Sequence, residues 1–233
     1  MATPSAITIG SGSFTGKWVI DKKASPPPDP ALKLQGIGWV LRKAAGLAVP
    51  TLHMSISSPS ASRLCTESQS APQKAYISVF QVPTAGLGAI TESRVLDWDE
   101  RTPLKDFLFG TRLSRNRFIT GKKRDDGRMV PDFLPETKID DEVIGQMLRG
   151  EIAPDGSDDS GFLVEGTDEA EDAGLWIHTF EYREDGAWTA EQVWGFEMIG
   201  GERFHTRRFV VADKGGNFEM GRIVFSYFGP IDG

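Results

Sequence analysis

Apolar and polar residues alternate along much of the chain, and the places where that period changes divide it into elements. From Phe14 to Ile20 every second residue (Phe14, Gly16, Trp18, Ile20) falls on one face, as in a β-strand. Asp21 to Asp29 is a linker whose Pro26-Pro27-Pro28 run excludes regular helix. The period then lengthens: Asp29 reads as an N-cap with Pro30 at the first helical position. Leu32, Ile37 and Leu41, with Trp39 and Val40, form a partly apolar helical face that Gly36 and Gly38 split into two short helices. Arg42 and Lys43 before Gly46 mark a helix end, and Pro50 restores extended structure. Thr51 to Ser57 then alternates cleanly, with Leu52, Met54 and Ile56 on one face and His53 on the other.

Further along, Ser58-Pro59-Ser60 is a turn, and Arg63–Ser70, Tyr76–Val82 and Ala89–Trp98 read as strands. Phe107–Ile119 gives a further strand or pair, made basic by Arg112, Arg115 and Arg117. Regularity fails over 121–174. Asp140–Arg149 predicts one helix capped by Asp140, with Val143, Ile144, Met147 and Leu148 facing the protein. Glu151–Gly174 contains no Lys or Arg and reads as a mobile acidic loop without the ligand spacing of a calcium site. The last third is the clearest: Leu175–Arg183, Trp188–Ile199, Arg203–Ala212 and Phe218–Phe228 are four strands. They are joined at Asp185-Gly186, Gly200-Gly201 and Gly215-Gly216, as in an antiparallel meander.

The 233 residues suit a single all-β domain over 13–233, with residues 1–12 as a disordered Gly/Ser/Thr-rich lead that lacks the marks of a signal peptide. A net charge of −7 disfavours a nucleic-acid surface. Cys65 is the single cysteine, so no intrachain disulfide forms. No apolar run approaches the ~18–20 residues that span a bilayer, and a cytoplasmic location is the default.

Sequence motifs for nucleophilic, nucleotide or metal chemistry are absent, and neither metal nor cofactor is expected. His178 alternates with Trp176, Phe180 and Tyr182, a titratable group among aromatics that suits a pocket acid, base or hydrogen-bond donor. Adjacent strand residues face opposite ways, so either Arg207 or Arg208 points inward. There it needs a ligand oxygen or a partner such as Glu181, Glu191, Glu197 or Arg222. His205 shares a face with Arg203 and Arg207, which is either an outer polar face or the pocket. His53, opposite Leu52 and Met54, points outward. Trp18, Trp39, Trp188, Trp194, Phe196 and Tyr227 supply aromatic surface that fills a barrel or lines its cavity.

The order Phe14-x-Gly16-x-Trp18, then Gly36-x-Gly38-Trp39 through Arg42-Lys43, then Val49-Pro50-Thr51 and Leu64–Gln69, resembles the intracellular lipid-binding proteins, the fatty-acid-binding branch of the calycins. The resemblance covers about residues 14–82 well and the last strands in outline. It implies an antiparallel β-barrel with a helix-turn-helix lid, here carrying an inserted acidic loop with one helix, around a hydrophobic small molecule. The chain departs from the family in its greater length, mostly between Gln81 and Gly174. It also departs in the carboxylate clamp of the last strand, where Arg222 and Tyr227 are too far apart for the Arg-x-Tyr motif. The enlarged form looks like fungal calycin-like proteins, some of which are cofactor-free cyclases, including Diels–Alderases. On that basis the expected function is cyclisation or isomerisation of a polyene or terpenoid-type substrate. The site expected for it has His178, Arg207 and Tyr227 as catalytic residues and Trp18, Trp39, Leu52, Met54, Trp194, Phe196 and Arg222 against the ligand. A noncatalytic carrier of a lipophilic ligand is the alternative, and a haem-binding barrel a weaker one.

Overall fold

A computed structural model describes residues 1–10, 14–57, 74–84, 88–165 and 174–231. Its elements, in chain order, are β1 (Gly16–Ile20), α1 (Asp29–Leu34), α2 (Trp39–Leu47), β2 (Thr51–Ser57), β3 (Tyr76–Gln81), β4 (Ile90–Val95), β5 (Asp97–Asp106) and β6 (Gly110–Ile119). There follow β7 (Gly121–Lys123), β8 (Met129–Pro131), α3 (Glu142–Leu148), β9 (Trp176–Tyr182), β10 (Trp188–Ile199), β11 (Glu202–Asp213) and β12 (Phe218–Gly229). Ten strands form one antiparallel sheet in the order β4-β3-β2-β1-β12-β11-β10-β9-β6-β5, and β7 pairs with β8 alone. The sheet curls into a nearly closed barrel of calycin-like fold. Side chains bridge the seam between its two edges: Asn116 Nδ2 donates to the Val95 carbonyl (3.3 Å), and the Val95 N–H to Thr102 Oγ1 (3.3 Å).

The meander forms where the turns allow it. Gly200 and Gly201 both take positive φ (59° and 83°), which a two-residue hairpin loop with the twist of its strands requires. Three strands were not foreseen as separate elements: the short pair β7 and β8, and β5. β5 carries Pro103 and a run of charges (DWDERTPLKD), which hides its alternation. It tolerates the proline because it lies at the sheet edge, where a missing N–H breaks no ladder on the open side.

Inside the barrel lies one hydrophobic cluster: Phe14, Trp18, Leu52, Met54, Ile56, Ile77, Val79, Ile177, Trp194, Phe196 and Phe225. Ile7 and Ile9 belong to it, and the Thr3 N–H donates to the Arg203 carbonyl (2.6 Å). The first ten residues are therefore packed against one end of the barrel, in place of the disordered lead that their composition suggested. At another position α1 sets Ala31 and Leu34 against Trp188, Ala190 and Val211. The helix begins at Asp29, whose carboxylate pairs with Arg42 of α2 instead of capping. α2 buries none of its residues.

The insertion is a second layer. Phe133, Ile144, Met147, Leu148 and Phe162 pack on Trp176, Val193 and Val210, on the outer face of β9, β10 and β11. Asp141, not Asp140, caps α3. Residues 151–165 of the expected mobile acidic loop are docked. Phe162 pairs with Glu197, the Leu163 N–H donates to the Phe196 carbonyl (2.7 Å), and Asp159 accepts from Arg208 and Arg222. Residues 166–173, the strand expected over Arg63–Ser70 and Cys65 lie outside the described residues. No helix among those described is long and apolar enough to cross a membrane.

Candidate functional site

Register along the meander stacks the inward side chains in layers. Phe196, His205 and Phe225 stand side by side in the first, with Phe14 and Trp18 against them. Phe118, Ile177, Trp194, Arg207 and Ile223 make the second, and Asn116, Thr179, Gln192 and Phe209 the third. The lumen thus passes from an aromatic floor, through a layer with one arginine, to a polar layer. β2 and β3 present an apolar wall opposite: Leu52, Met54, Ile56, Ile77 and Val79.

Among the described residues four arginines are enclosed by the fold, and three of them are neutralised. Arg94 pairs with Glu92 (2.6 Å) and Glu181 (2.7 Å); Arg112 pairs with Glu181 (2.6 Å), Glu92 and Asp106. Burial opposes charge on Arg94 and on Glu181, but the opposite charges overcome it: the arginine is held up and the carboxyl held down. Arg208, on the outer face, pairs with Glu197 (2.9 Å) and Asp159 (2.8 Å) and donates to the carbonyls of Met147 and Ile152. Arg207 differs. Among the described residues no carboxylate lies within ion-pair distance of it. Its guanidinium sits 3.5 Å over the Trp194 ring and 4.7 Å from that of Phe225, with Met54 Sδ against one Nη. Burial first, then repulsion from Arg94, pulls its pKa down to about 9 against the more distant attraction of Glu92 and Glu181, so at neutral pH it keeps its charge. Arg207 and Ile223 keep partly open surface although they lie deep in the barrel, while the outward Arg208 and Val210 beside them are fully buried. That inversion is what a lumen produces.

His205 borders the same cation. It is fully buried among the rings of Phe14, Trp18, Trp194, Phe196 and Phe225, at 5.0 to 6.1 Å. Burial, and then Arg207, push its pKa well below the ordinary value. The neutral ring donates Nδ1–H to the Gly195 carbonyl (2.9 Å), which leaves Nε2 as the acceptor facing Arg207 Nε–H at 3.4 Å.

Of the residues expected to form the site, the fold brings Trp18, Leu52, Met54, Trp194, Phe196, Arg207 and Tyr227 to the barrel interior. Tyr227 packs edge-on to Trp18 at 5.2 Å. Three lie elsewhere. Trp39 is 63% exposed on α2. Arg222 is on the outer face, bonded to Glu197 (2.7 Å) and Asp159 (3.1 Å). His178 is also outside the barrel, buried beneath the insertion between Trp98 (4.5 Å) and Phe133 (4.4 Å). Its Nε2 meets Glu191 Oε1 at 2.8 Å, and Arg117 donates to Nδ1 at 3.3 Å. Glu191 in turn accepts the N–H groups of Glu136 and Thr137 and the Thr137 hydroxyl. This pair fastens the insertion to the barrel. An alternating strand with aromatics on one parity reads as a pocket wall, but here the pocket side carries Ile177, Thr179 and Glu181, while on the other side Trp176 meets the second layer and Phe180 and Tyr182 stack on each other. The polar lumen residues Glu92, Arg94, Arg112, Ser114, Asn116 and Glu181 were not foreseen as a group. The signal was present in the shared parity of Arg112, Ser114, Asn116 and Phe118, opposite that of Arg115 and Arg117.

The arrangement can bind an apolar body along the β2–β3 wall and give a hydrogen-bonded cation to an oxygen at Arg207. The Thr179 hydroxyl, fully buried in the layer above, has no hydrogen-bond partner among the described residues. All three histidines are accounted for: His53 packs on Phe80 on the outer side, and the other two have both ring nitrogens engaged.

No family model matches the chain. A curated protein of Mollisia scopiformis named "Probable pericyclase scpY" is 27% identical over 231 residues, covering 98% of this chain and 96% of that protein. The solved structure of the REP1-NXSQ fatty acid transporter covers 94% of this chain and 98% of its own, at 12% identity and a TM-score of 0.35, too slight a likeness to carry weight. Strand order, lid and lumen make the fold calycin-like.

Proposed function

We propose that the protein is a pericyclase: it folds a linear polyene within the barrel and releases a cyclised isomer without cofactor. The observation that carries this reading is Arg207, a guanidinium inside an aromatic lumen with no carboxylate at ion-pair distance among the described residues. A carbonyl or carboxylate oxygen of the substrate, seated there, completes the cation's hydrogen bonds. Withdrawal of electron density through that oxygen activates a conjugated alkene toward a diene in the same chain, and the bond strengthens as charge develops in the transition state. In a [4+2] closure two σ bonds form at the expense of two π bonds, and no atom enters or leaves. The remaining demand is orientation, since holding the reactive ends together removes much of the entropic barrier. The Trp194, Phe196 and Phe225 rings and the β2–β3 wall supply the surface for it. The curated relative named as a pericyclase, matched along nearly its whole length, supports the same reading.

Native mass spectrometry of the freshly purified protein, followed by incubation with synthetic trienes bearing an unsaturated carbonyl, tests it. The expected result is a product of unchanged mass and new retention time, formed faster than in buffer. Saturable binding across the panel with no such product assigns the lumen to transport of lipophilic ligands instead.

A further inference from the structure

We propose that His205 is the positioning residue that aims Arg207 into the lumen, and that it thereby sets how strongly the barrel prefers an oxygen-headed ligand. The proposal rests on reading Arg207 as the ligand's oxygen contact. An imidazole enclosed by five aromatic rings is poorly placed for packing alone, because its polar nitrogens lose water there and a phenyl ring would fill the space without that cost. What the imidazole adds is direction. The Gly195 carbonyl can only accept, so it fixes the proton on Nδ1. The Nε2 lone pair then faces the Arg207 Nε–H donor.

The guanidinium is planar, so with its face laid on Trp194 and its Nε edge turned to His205 the directions of its two Nη groups are set. One of these meets the thioether of Met54, a weak acceptor on a flexible side chain that a ligand oxygen can displace. The chain Gly195 carbonyl, His205, Arg207 therefore runs from a rigid strand to the lumen and ends on the donors that face the ligand. His205 touches no reacting atom in this scheme and acts through Arg207.

The test uses cis-parinaric acid, a fluorescent polyene acid, and its methyl ester, titrated into the full chain. Wild type is expected to bind the acid more tightly than the ester. H205F, which keeps an aromatic ring but no acceptor, is expected to weaken acid binding about tenfold and change ester binding by less than about twofold. H205Q, which returns an acceptor near Nε2, recovers most of the loss. In an R207M background the acid preference is gone and H205F has no further effect. If H205F does not fold, H205M serves as the acceptor-free arm. Equal weakening of acid and ester by H205F, or the same H205F effect with and without Arg207, overturns the proposal and makes His205 structural. An acid preference that survives R207M, or a wild type that binds neither ligand, overturns the reading of Arg207 itself.

Discussion

At the scale of single residues, the informative contrast is among arginines. Arg94, Arg112 and Arg208 each meet two or more carboxylates, and Arg207 pairs with none among the described residues. Removing the first kind and the second kind should have opposite effects. Glu181→Gln leaves Arg94 and Arg112 short of charge in the interior and is expected to cost about 3–5 kcal/mol in chemical denaturation. Arg207→Met removes an uncompensated buried cation, so the melting temperature should hold or rise while cyclisation falls about 10²–10³-fold, the usual loss when one preorganised donor is deleted. Parity in the sequence showed that either Arg207 or Arg208 faces inward. It could not say which, because both faces of β11 are buried and an apolar count on either side looks like a core. Nor could it separate His178 from the lumen, since the rings around it, Trp98 and Phe133, come from distant stretches of the chain.

The elements divide the labour. The lid and the first strands were legible because their glycines and prolines punctuate a changing period. The meander was legible because its turns carry glycine at the required positions. Of the insertion only the helix α3, with Ile144, Met147 and Leu148 inward, was legible; the rest was not, because a segment that packs on the outside of a sheet need not show a period of its own. Its apolar anchors, Phe133, Phe162 and the α3 face, are separated by acidic and glycine-rich runs. Gly195 permits their approach: a Cβ there would lie 2.6 Å from Phe162 and 2.7 Å from Trp176. Gly195→Ala should therefore lift the insertion and destabilise the fold by about 1–3 kcal/mol, with faster proteolysis between Gly150 and Glu165 than elsewhere.

For the whole molecule, two buried histidines are expected to weaken the fold as the pH falls. Burial lowers the pKa of both His178 and His205 from the ordinary 6.5, so between that value and their folded values the unfolded chain binds protons that the folded chain does not. Stability should then be level above about pH 7 and fall as the pH drops through the ordinary histidine range. Thermal melts from pH 7.5 to 5 check this, and H205Q should flatten the slope by about one proton's worth. Among the described residues the barrel joins an apolar wall to a polar layer with Arg207, a cation without an ion-pair partner there, between them, and the function proposed depends on that cation meeting an oxygen. The most direct measurement is single-turnover cyclisation of a synthetic triene with a conjugated carbonyl, followed by chromatography with mass detection for wild type and R207M at equal occupancy of the barrel. The account predicts a mass-neutral product from wild type and a chemical step slowed about 10²–10³-fold in the variant. A variant that binds the triene and closes the ring as fast as wild type would contradict it.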